Sequence, residues 1–234
     1  TRGTFVKKIV LAAVAAFLLP VAAQAAPAGA YNWSGPYVGL NAGYGLGHVT
    51  IDDQDCNISC SSQSLDPSGV TVGGVLGYNL QRGSAVGGIE ADYNYFDGKK
   101  QKVTDWPSLH RANINSFGTV RARAGLALDN TLLYATAGLA IIDQDVAAEE
   151  IHNGVPTYGF RKSTTKVGLA AGVGAEMGLS QHLRMKMEYL YLATPADDNI
   201  HDQFTTGYCS THTYCNYGYK TEANVVRVGV NYAF

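Results

Sequence analysis

The sequence NVVRVGVNYAF, residues 224–234, decides the fold. Alternate positions carry the apolar set Val226, Val228, Val230, Tyr232 and Phe234. The intervening positions carry Val225, Arg227, Gly229, Asn231 and Ala233. Because successive side chains of a β-strand point to opposite faces, one face of this strand suits lipid and the other is small or polar. The 11 residues of the stretch match the length that a tilted strand needs to cross a bilayer.

Seven further stretches show the same alternation. They are 37–47, 70–81, 86–95, 116–128, 131–142, 166–179 and 183–192. Residues 131–142 are apolar on both faces, so the pattern leaves their inward face undetermined. The 15 tyrosines favour β-structure, and no apolar run of 18 residues follows residue 25, which argues against a helical membrane protein.

The connections between these stretches alternate in length. Short turns fall at 82–84, 129–130 and 181–182, and long loops are predicted at 48–69, 96–115, 143–165 and 195–223. This rhythm is expected when one rim of a barrel carries turns and the other carries loops. The sequence therefore predicts an all-β fold, an eight-stranded antiparallel transmembrane β-barrel with four long external loops. A soluble β-sandwich would not require such a rhythm.

The N-terminal segment has the pattern of a secretory signal peptide. Basic Arg2, Lys7 and Lys8 precede the apolar residues 9–19, and Ala23-Gln24-Ala25 supplies a cleavage pattern. The apolar run is too short for a transmembrane helix. The predicted organisation is a signal peptide at 1–25, a short lead-in at 26–35 and a barrel at 36–234. Without residues 1–25 the chain keeps 14 basic against 19 acidic residues, which argues against nucleic acid as a partner.

The inward faces of the predicted strands collect charges of both signs. The acids are Glu90, Asp92, Glu176 and Glu188, and the bases are Arg121, Arg123, Arg184, Lys186 and Arg227. An unpaired charge inside a narrow barrel is costly, and eight strands leave an interior that side chains just fill. The preferred interpretation is a salt-bridged plug; the alternative is an ion-selective constriction.

Four segments resemble a known family in order along the chain. They are Trp33–Gly39 with Asn41–Tyr44, Gly118–Gly125, Leu133–Ala140 and Val226–Phe234. The set resembles the outer-membrane immunogenic or porin-like β-barrel proteins of alphaproteobacteria. The resemblance implies a barrel similar to the OmpA transmembrane domain, contact with outer-membrane lipid, and insertion by the outer-membrane assembly machinery. It also implies that the C-terminal aromatic residue, Phe234, is the assembly signal.

The cysteines and most histidines fall in the predicted external loops. An oxidising compartment favours disulfides among Cys56, Cys60, Cys209 and Cys215, whose three pairings remain open. A metal site at Cys209, His212 and Cys215 is the alternative. The loop histidines and nearby tyrosines could bind haem or metal; they are His48, His110, His152, His201, His212, Tyr208, Tyr214, Tyr217 and Tyr219.

The sequence shows no pattern of a catalytic triad, a catalytic carboxylate pair or a phosphate-binding loop. We therefore expect a structural outer-membrane barrel that is a surface antigen or porin-like protein, with no enzymatic activity and no cofactor. The alternative function is a haem- or metal-binding surface receptor acting through the external loops. The oligomeric state does not follow from the sequence.

Overall fold

The computed structural model describes residues 31–53, 63–103, 108–152, 155–201 and 216–234. The chain divides into two units, 1–31 and 32–234, and the strands of the described residues all lie in the second. No helix within the described residues is long and apolar enough to cross a membrane. The ten strands are β1 Gly35–Asp53, β2 Gln63–Leu65, β3 Ser68–Arg82, β4 Ala85–Val103, β5 Ser108–Leu128, β6 Thr131–His152, β7 Val155–Gly178, β8 Leu183–Ala193, β9 Asp197–His201 and β10 Asn216–Ala233.

Eight of these strands, all except the short β2 and β9, form a closed antiparallel barrel. Each pairs with its neighbour in chain order, and β10 returns to pair with β1, with Tyr37 opposite Ala233 and Ala42 opposite Val228. Closure leaves no open sheet edge in the part of the wall that meets lipid, where water cannot satisfy the backbone. The predicted eight-stranded antiparallel barrel is confirmed.

Tight turns join the strands at one rim. Two residues, Gly83 and Ser84, link β3 to β4, and Gly83 has a φ of +61°. Asp129 and Asn130 link β5 to β6, with Asp129 at a φ of +53°. Glycine adopts such angles freely and aspartate tolerates them, so both turns suit short hairpins. This rim is periplasmic by the usual barrel rule that turns face the periplasm.

The outward face of the wall is apolar along the predicted strands. Leu40, Leu76, Val120 and Leu169 are between 61% and 73% exposed.

The structure shows which face of residues 131–142, the stretch that is apolar on both faces, points inward in β6. Its outward residues include Leu133, Leu139 and Ile141, and its inward residues include Leu132, Tyr134 and Thr136.

The strands extend beyond the predicted ones on the external side. The predicted loops 48–69, 96–115, 143–165 and 195–223 are too long, because the strands continue into them; these strands are β1, β3, β4, β5, β6, β7 and β10. The reason is an inversion of polarity. On six strands, the last apolar residue of the outward face is followed, toward the external end, by a polar residue on the same face. The pairs are Leu46 and His48, Val70 and Ser68, Tyr95 and Asp97, Ile141 and Asp143, Val167 and Thr165, and Val226 and Asn224.

Around and above this boundary most of the inward side chains are apolar, although a few buried polar ones, such as Gln144 and Thr221, lie among them. An inner apolar layer consists of Phe96, Ile114, Phe117, Ala140, Ile142, Ala170, Leu190, Leu192, Ala223 and Val225. An outer apolar layer consists of Val49, Ile51, Leu65, Ala112, Val146 and Tyr219. The alternation therefore persists with its two faces exchanged, which marks the outer surface of the membrane.

Candidate functional site

Charged side chains fill the lumen directly below the inner apolar layer. The nine predicted luminal charges lie on inward faces, and each is at most 7% exposed. Eight of them form the charge cluster, which consists of Glu90 and Asp92 on β4, Arg121 and Arg123 on β5, Glu176 on β7, Lys186 and Glu188 on β8 and Arg227 on β10.

Arg121 is the centre of the cluster. Its Nη2 donates to Glu90 Oε1 at 2.6 Å and to Asp92 Oδ2 at 2.8 Å. Its Nη1 donates to Glu188 Oε1 at 3.0 Å, and its Nε donates to Thr119 Oγ1 at 2.9 Å. One guanidinium thus meets three carboxylates, and charge-assisted bonds of this kind are among the stronger hydrogen bonds in proteins.

Two further cations neutralise the same acids. Arg227 Nη2 lies 3.0 Å from Asp92 Oδ2, and Arg227 Nε donates to Glu188 Oε2 at 2.8 Å. Lys186 Nζ donates to both carboxylate oxygens of Glu90 at 3.0 Å. Each of these three acids therefore accepts from at least two cations, which compensates for its burial.

A second group of contacts lies on the periplasmic side of Arg121. Arg123 Nη2 donates to Glu176 Oε2 at 2.9 Å, and Asn231 Nδ2 donates to Glu176 Oε1 at 2.9 Å. Arg123 Nη1 also donates to the hydroxyl of Tyr37 at 2.8 Å, and that hydroxyl donates to Glu90 Oε2 at 2.7 Å. Tyr37 thereby joins the two groups into one network.

The ninth charge, Arg184, lies at the periplasmic mouth. Its guanidinium stacks 4.9 Å from the ring of Trp33, and its Nη2 donates to the backbone oxygen of Asn32 at 3.3 Å. Trp33 is fully buried, and its backbone N–H donates to Gln81 Oε1 at 2.8 Å. The residues just before β1 therefore turn inward and cover this end of the lumen.

Glycines opposite the long side chains make room for them. A Cβ atom on Gly43 would lie 2.7 Å from Cβ of Arg227, and a Cβ on Gly138 would lie 2.6 Å from Cα of Arg121. Both distances are shorter than real contacts of a Cβ atom. The inward glycines thus allow a close approach of the neighbouring strands at the residues that carry Arg227 and Arg121.

Ion pairs also occur on the outer surface above the membrane boundary. Lys220 Nζ lies 2.7 Å from Glu222 Oε1, and His48 Nδ1 lies 2.7 Å from Asp66 Oδ1. The hydrogen bond from Lys220 holds the pKa of Glu222 below its usual value. The same contact raises the pKa of Lys220.

The predicted loop sites are only partly within the described chain. Cys56, Cys60, Cys209, Cys215 and His212 lie outside the described residues. His48 is exposed on the outer surface, whereas His110 is buried on the inward face of β5. Within the described part of the chain, no three His, Cys, Asp or Glu side chains are grouped so as to hold a metal ion.

Sequence reasoning missed the polar residues that complete the network. Tyr37, Thr119 and Tyr134 bind its charged groups, and Trp33 covers the periplasmic mouth. Tyr37 and Thr119 could have been found from the sequence. Each occupies an inward position of a strand whose inward and outward faces the alternation already distinguishes.

The arrangement can hold charge in place but offers no acid or base in contact with water. Each of the four acids accepts hydrogen bonds from at least one cation inside a buried network.

A family model described as the outer membrane protein beta-barrel domain matches residues 9–234. The chain belongs to this family. It is an outer-membrane β-barrel protein, located in the bacterial outer membrane.

Relatives within this β-barrel family come from alphaproteobacteria, as the sequence resemblance predicted. The 31 kDa outer-membrane immunogenic protein of Brucella melitensis is 29% identical over an alignment 262 residues long including gaps. The alignment covers 97% of this chain and 100% of that protein. The 22 kDa outer membrane protein of Rhizobium leguminosarum bv. viciae is 29% identical over 186 residues, covering 78% of this chain and 74% of that protein.

Among solved structures, the outer membrane protein OprG from Pseudomonas aeruginosa is similar in fold. The TM-score is 0.54 at 12% sequence identity, and the match covers 88% of this chain and 99% of that chain. At this identity the likeness shows the fold alone.

Proposed function

We propose that this outer-membrane protein is a closed structural barrel, neither a channel nor an enzyme, whose external strands form a surface antigen. One observation carries the proposal: the charge cluster fills the lumen and the inner apolar layer lies directly above it. An ion would have to separate buried salt bridges and then pass an apolar region, and both steps are costly. The immunogenic name of the Brucella melitensis relative supports display at the surface.

Conductance across planar lipid bilayers tests the closed lumen. The purified full chain should insert without producing stepwise current at 1 M KCl (roughly the high-salt condition at which surface charges are screened). A general diffusion porin measured in parallel shows that channels would be detected. Reproducible ohmic steps from this chain that scale with salt would support the ion-selective constriction and contradict the closed barrel.

The proposal includes insertion by the outer-membrane assembly machinery through Phe234. The Phe234 side chain is 69% exposed and its ring packs edge-on against Tyr232, with centroids 5.2 Å apart. We expect Phe234→Ala to lower the fraction of heat-modifiable, folded protein in the outer membrane at least tenfold. The matched control is Leu80→Ala, which removes another exposed apolar side chain near the same rim. Equal folded fractions for Phe234→Ala and the wild type would contradict this role.

Export and oxidation are further parts of the proposal. We propose that residues 1–25 are removed on export and that the four cysteines form two disulfides. Mass spectrometry of the protein from isolated outer membranes tests both. Cleavage after Ala25 and no reaction with iodoacetamide before reduction are expected. An uncleaved chain, or four alkylated cysteines without reduction, would contradict them.

A further inference from the structure

A groove crosses the outward, lipid-facing wall of the barrel. Its volume is about 730 Å³, which is within the range of pockets that hold small molecules. From β3 to β6 this wall groove follows a row of paired outward residues, which are Gly74, Tyr93, Gly118 and Ile141. Because the lining is mostly apolar, the groove suits a hydrocarbon ligand.

The groove is open at Gly74, on the β3 side of Tyr93. A Cβ atom on Gly74 would have its nearest neighbour, a backbone oxygen, 3.8 Å away, so open space lies above this residue. The ring of Tyr93 does not fill that space, because it leans the other way. Its Cδ2 lies 3.5 Å from the position of a Cβ on Gly118, and its hydroxyl donates to Ser116 Oγ at 3.0 Å. This hydrogen bond holds the groove open.

The groove descends from the outer surface of the membrane into the apolar part of the wall. On β6 it starts at Ile141, whose next outward neighbour, Asp143, lies beyond the boundary. On β3 it reaches Gly74, four residues below Val70, the last apolar residue of that face. Four residues of a tilted strand span roughly 10 Å of depth, less than half of the apolar band of about 25 Å. This part of the groove therefore lies in the outer leaflet.

A smaller pocket lies on the same face above the upper end of the groove. This polar notch has a volume of about 210 Å³, and its lining includes Arg111, Asn113, Asp145 and Ser163. Asp145 lies opposite Ser163, four residues along β6 from Ile141. The notch is therefore roughly 7 Å above the membrane boundary, at the depth of the lipid headgroups, which add about 5–8 Å on each side of the hydrocarbon.

The notch offers a cation to an anionic group. The carboxylate of Asp145 accepts a hydrogen bond from Asn115 Nδ2 at 2.9 Å. Arg111 forms no ion pair within the part of the chain that the structure describes. A guanidinium group matches the geometry of a phosphate and binds it through two parallel hydrogen bonds.

We propose that the wall groove and the polar notch together bind one phosphorylated lipid of the outer leaflet. One acyl chain lies in the groove over Gly74 and Gly118, and a headgroup phosphate contacts Arg111. The wall of an outer-membrane barrel is covered by lipid, and a groove surrounds an acyl chain more fully than the convex wall does, which buries more apolar surface. A second copy fits less well, because a symmetric pair brings groove against groove and leaves the space unfilled.

Titration of the ¹⁵N-labelled full chain in phosphatidylcholine nanodiscs tests the site. The probe is lipid A, a phosphorylated and acylated glycolipid, and its control is the same lipid A without its phosphates. Lipid A should shift the amide resonances of Gly74, Gly118 and Asn113 until they saturate. Those of Val228 and Val230, on the opposite side of the barrel, should shift little. The dephosphorylated lipid should bind at least fivefold more weakly.

Three results would overturn the proposal. Shifts that do not saturate, or that are as large at Val228 and Val230, would show that lipid A covers the whole wall without a site. Equal affinities for the two lipids would contradict the contact between phosphate and Arg111. A dimer in detergent that Gly74→Leu dissociates would show that a second copy occupies the groove. None of these results bears on the closed lumen, because conductance does not depend on the outward face.

Two variants test the two halves of the site separately. Gly74→Leu fills the groove from an exposed position where a side chain has space, and Arg111→Gln removes the cation of the notch. Each should weaken the binding of lipid A at least fivefold while heat-modifiable gel mobility shows a folded barrel. The matched controls are Ala135→Leu, an outward residue away from the groove, and Arg82→Gln at the periplasmic turn. Both controls should bind within twofold of the wild type. Unchanged affinity in Gly74→Leu or Arg111→Gln, or an equal loss in its control, would contradict that half of the site.

Discussion

Arg121 on β5 reaches across the lumen to Glu188 on β8, with Nη1 3.0 Å from Oε1. Two strands, β6 and β7, separate these residues along the wall. The contact therefore ties non-adjacent strands together across the lumen, unlike the pairing of Arg227 with Glu188 on adjacent strands. A cross-lumen tie of this kind fixes both the shape of the barrel and the positions of its charges.

Removing the guanidinium of Arg121 should destabilise the barrel strongly. Arg121→Met leaves Glu90, Asp92 and Glu188 buried with fewer cations, and breaking a buried ion pair costs about 3–5 kcal/mol. Urea titration of the protein in lipid vesicles, followed by heat-modifiable gel mobility, measures the change. The control is Arg82→Met at the exposed periplasmic turn, expected within about 0.5 kcal/mol of the wild type. Equal effects of the two variants would contradict the central role of Arg121.

The inward glycines should be intolerant of a methyl group. Gly43→Ala would place a Cβ 2.7 Å from Cβ of Arg227, and overpacking of this kind costs about 1–3 kcal/mol. In Gly87→Ala, by contrast, the nearest atom to the new Cβ is 4.0 Å away. The same urea titration should rank Gly43→Ala well below Gly87→Ala in unfolding free energy. The reverse order would show that the lumen is less tightly packed at Gly43 than the distances indicate.

The inversion of polarity predicts where a charge is tolerated on the outward face. Ala137 is exposed to lipid near the middle of the membrane-spanning part of β6, whereas Thr165 on β7 lies beyond the boundary. Ala137→Arg should cost about 2–4 kcal/mol and Thr165→Arg about 0–1 kcal/mol. Urea unfolding in vesicles provides the comparison. Similar costs for the two substitutions would place the membrane boundary elsewhere.

The surface pair above the membrane should show its coupling in acid. Because Lys220 lowers the pKa of Glu222 in the folded state, this carboxylate stabilises the fold above its unfolded pKa. That contribution disappears as the pH falls through the lower folded value. Carbon-detected NMR titration should give a Glu222 pKa below that of an unperturbed glutamate, and Lys220→Met should raise it. An unchanged pKa in Lys220→Met would show that the hydrogen bond does not form in solution.

Much of the barrel could be predicted because its membrane-spanning part obeys a simple rule. In β8, Arg184, Lys186 and Glu188 alternate with outward residues, so the sequence alone identifies which face of the strand points into the lumen. β6 gave no phase, because Ala140 and Ile142 face the lumen while Leu139 and Ile141 face lipid, and all four are apolar. Only the pairing of β6 with its neighbours determines which face is inward.

The external part of the wall could not be predicted by that rule. A search for apolar outward faces ends at the membrane boundary, so the strand residues beyond it resemble loops. Val225 illustrates the change: its face of β10 is polar at Arg227 and apolar here, where it joins the inner apolar layer.

The arrangement of polarity and the closed lumen are tested together by a spin-label scan of β6 from Leu132 to Asp145 in lipid vesicles. Labels at 133, 135, 137, 139 and 141, where the side chains face lipid, should collide with oxygen. Labels at 143 and 145, beyond the boundary, should collide with a water-soluble nickel chelate. Labels at the inward positions 134, 136, 140 and 142 should meet neither reagent. Access of the nickel chelate to 134 or 136 would reveal a water-filled lumen and contradict the account.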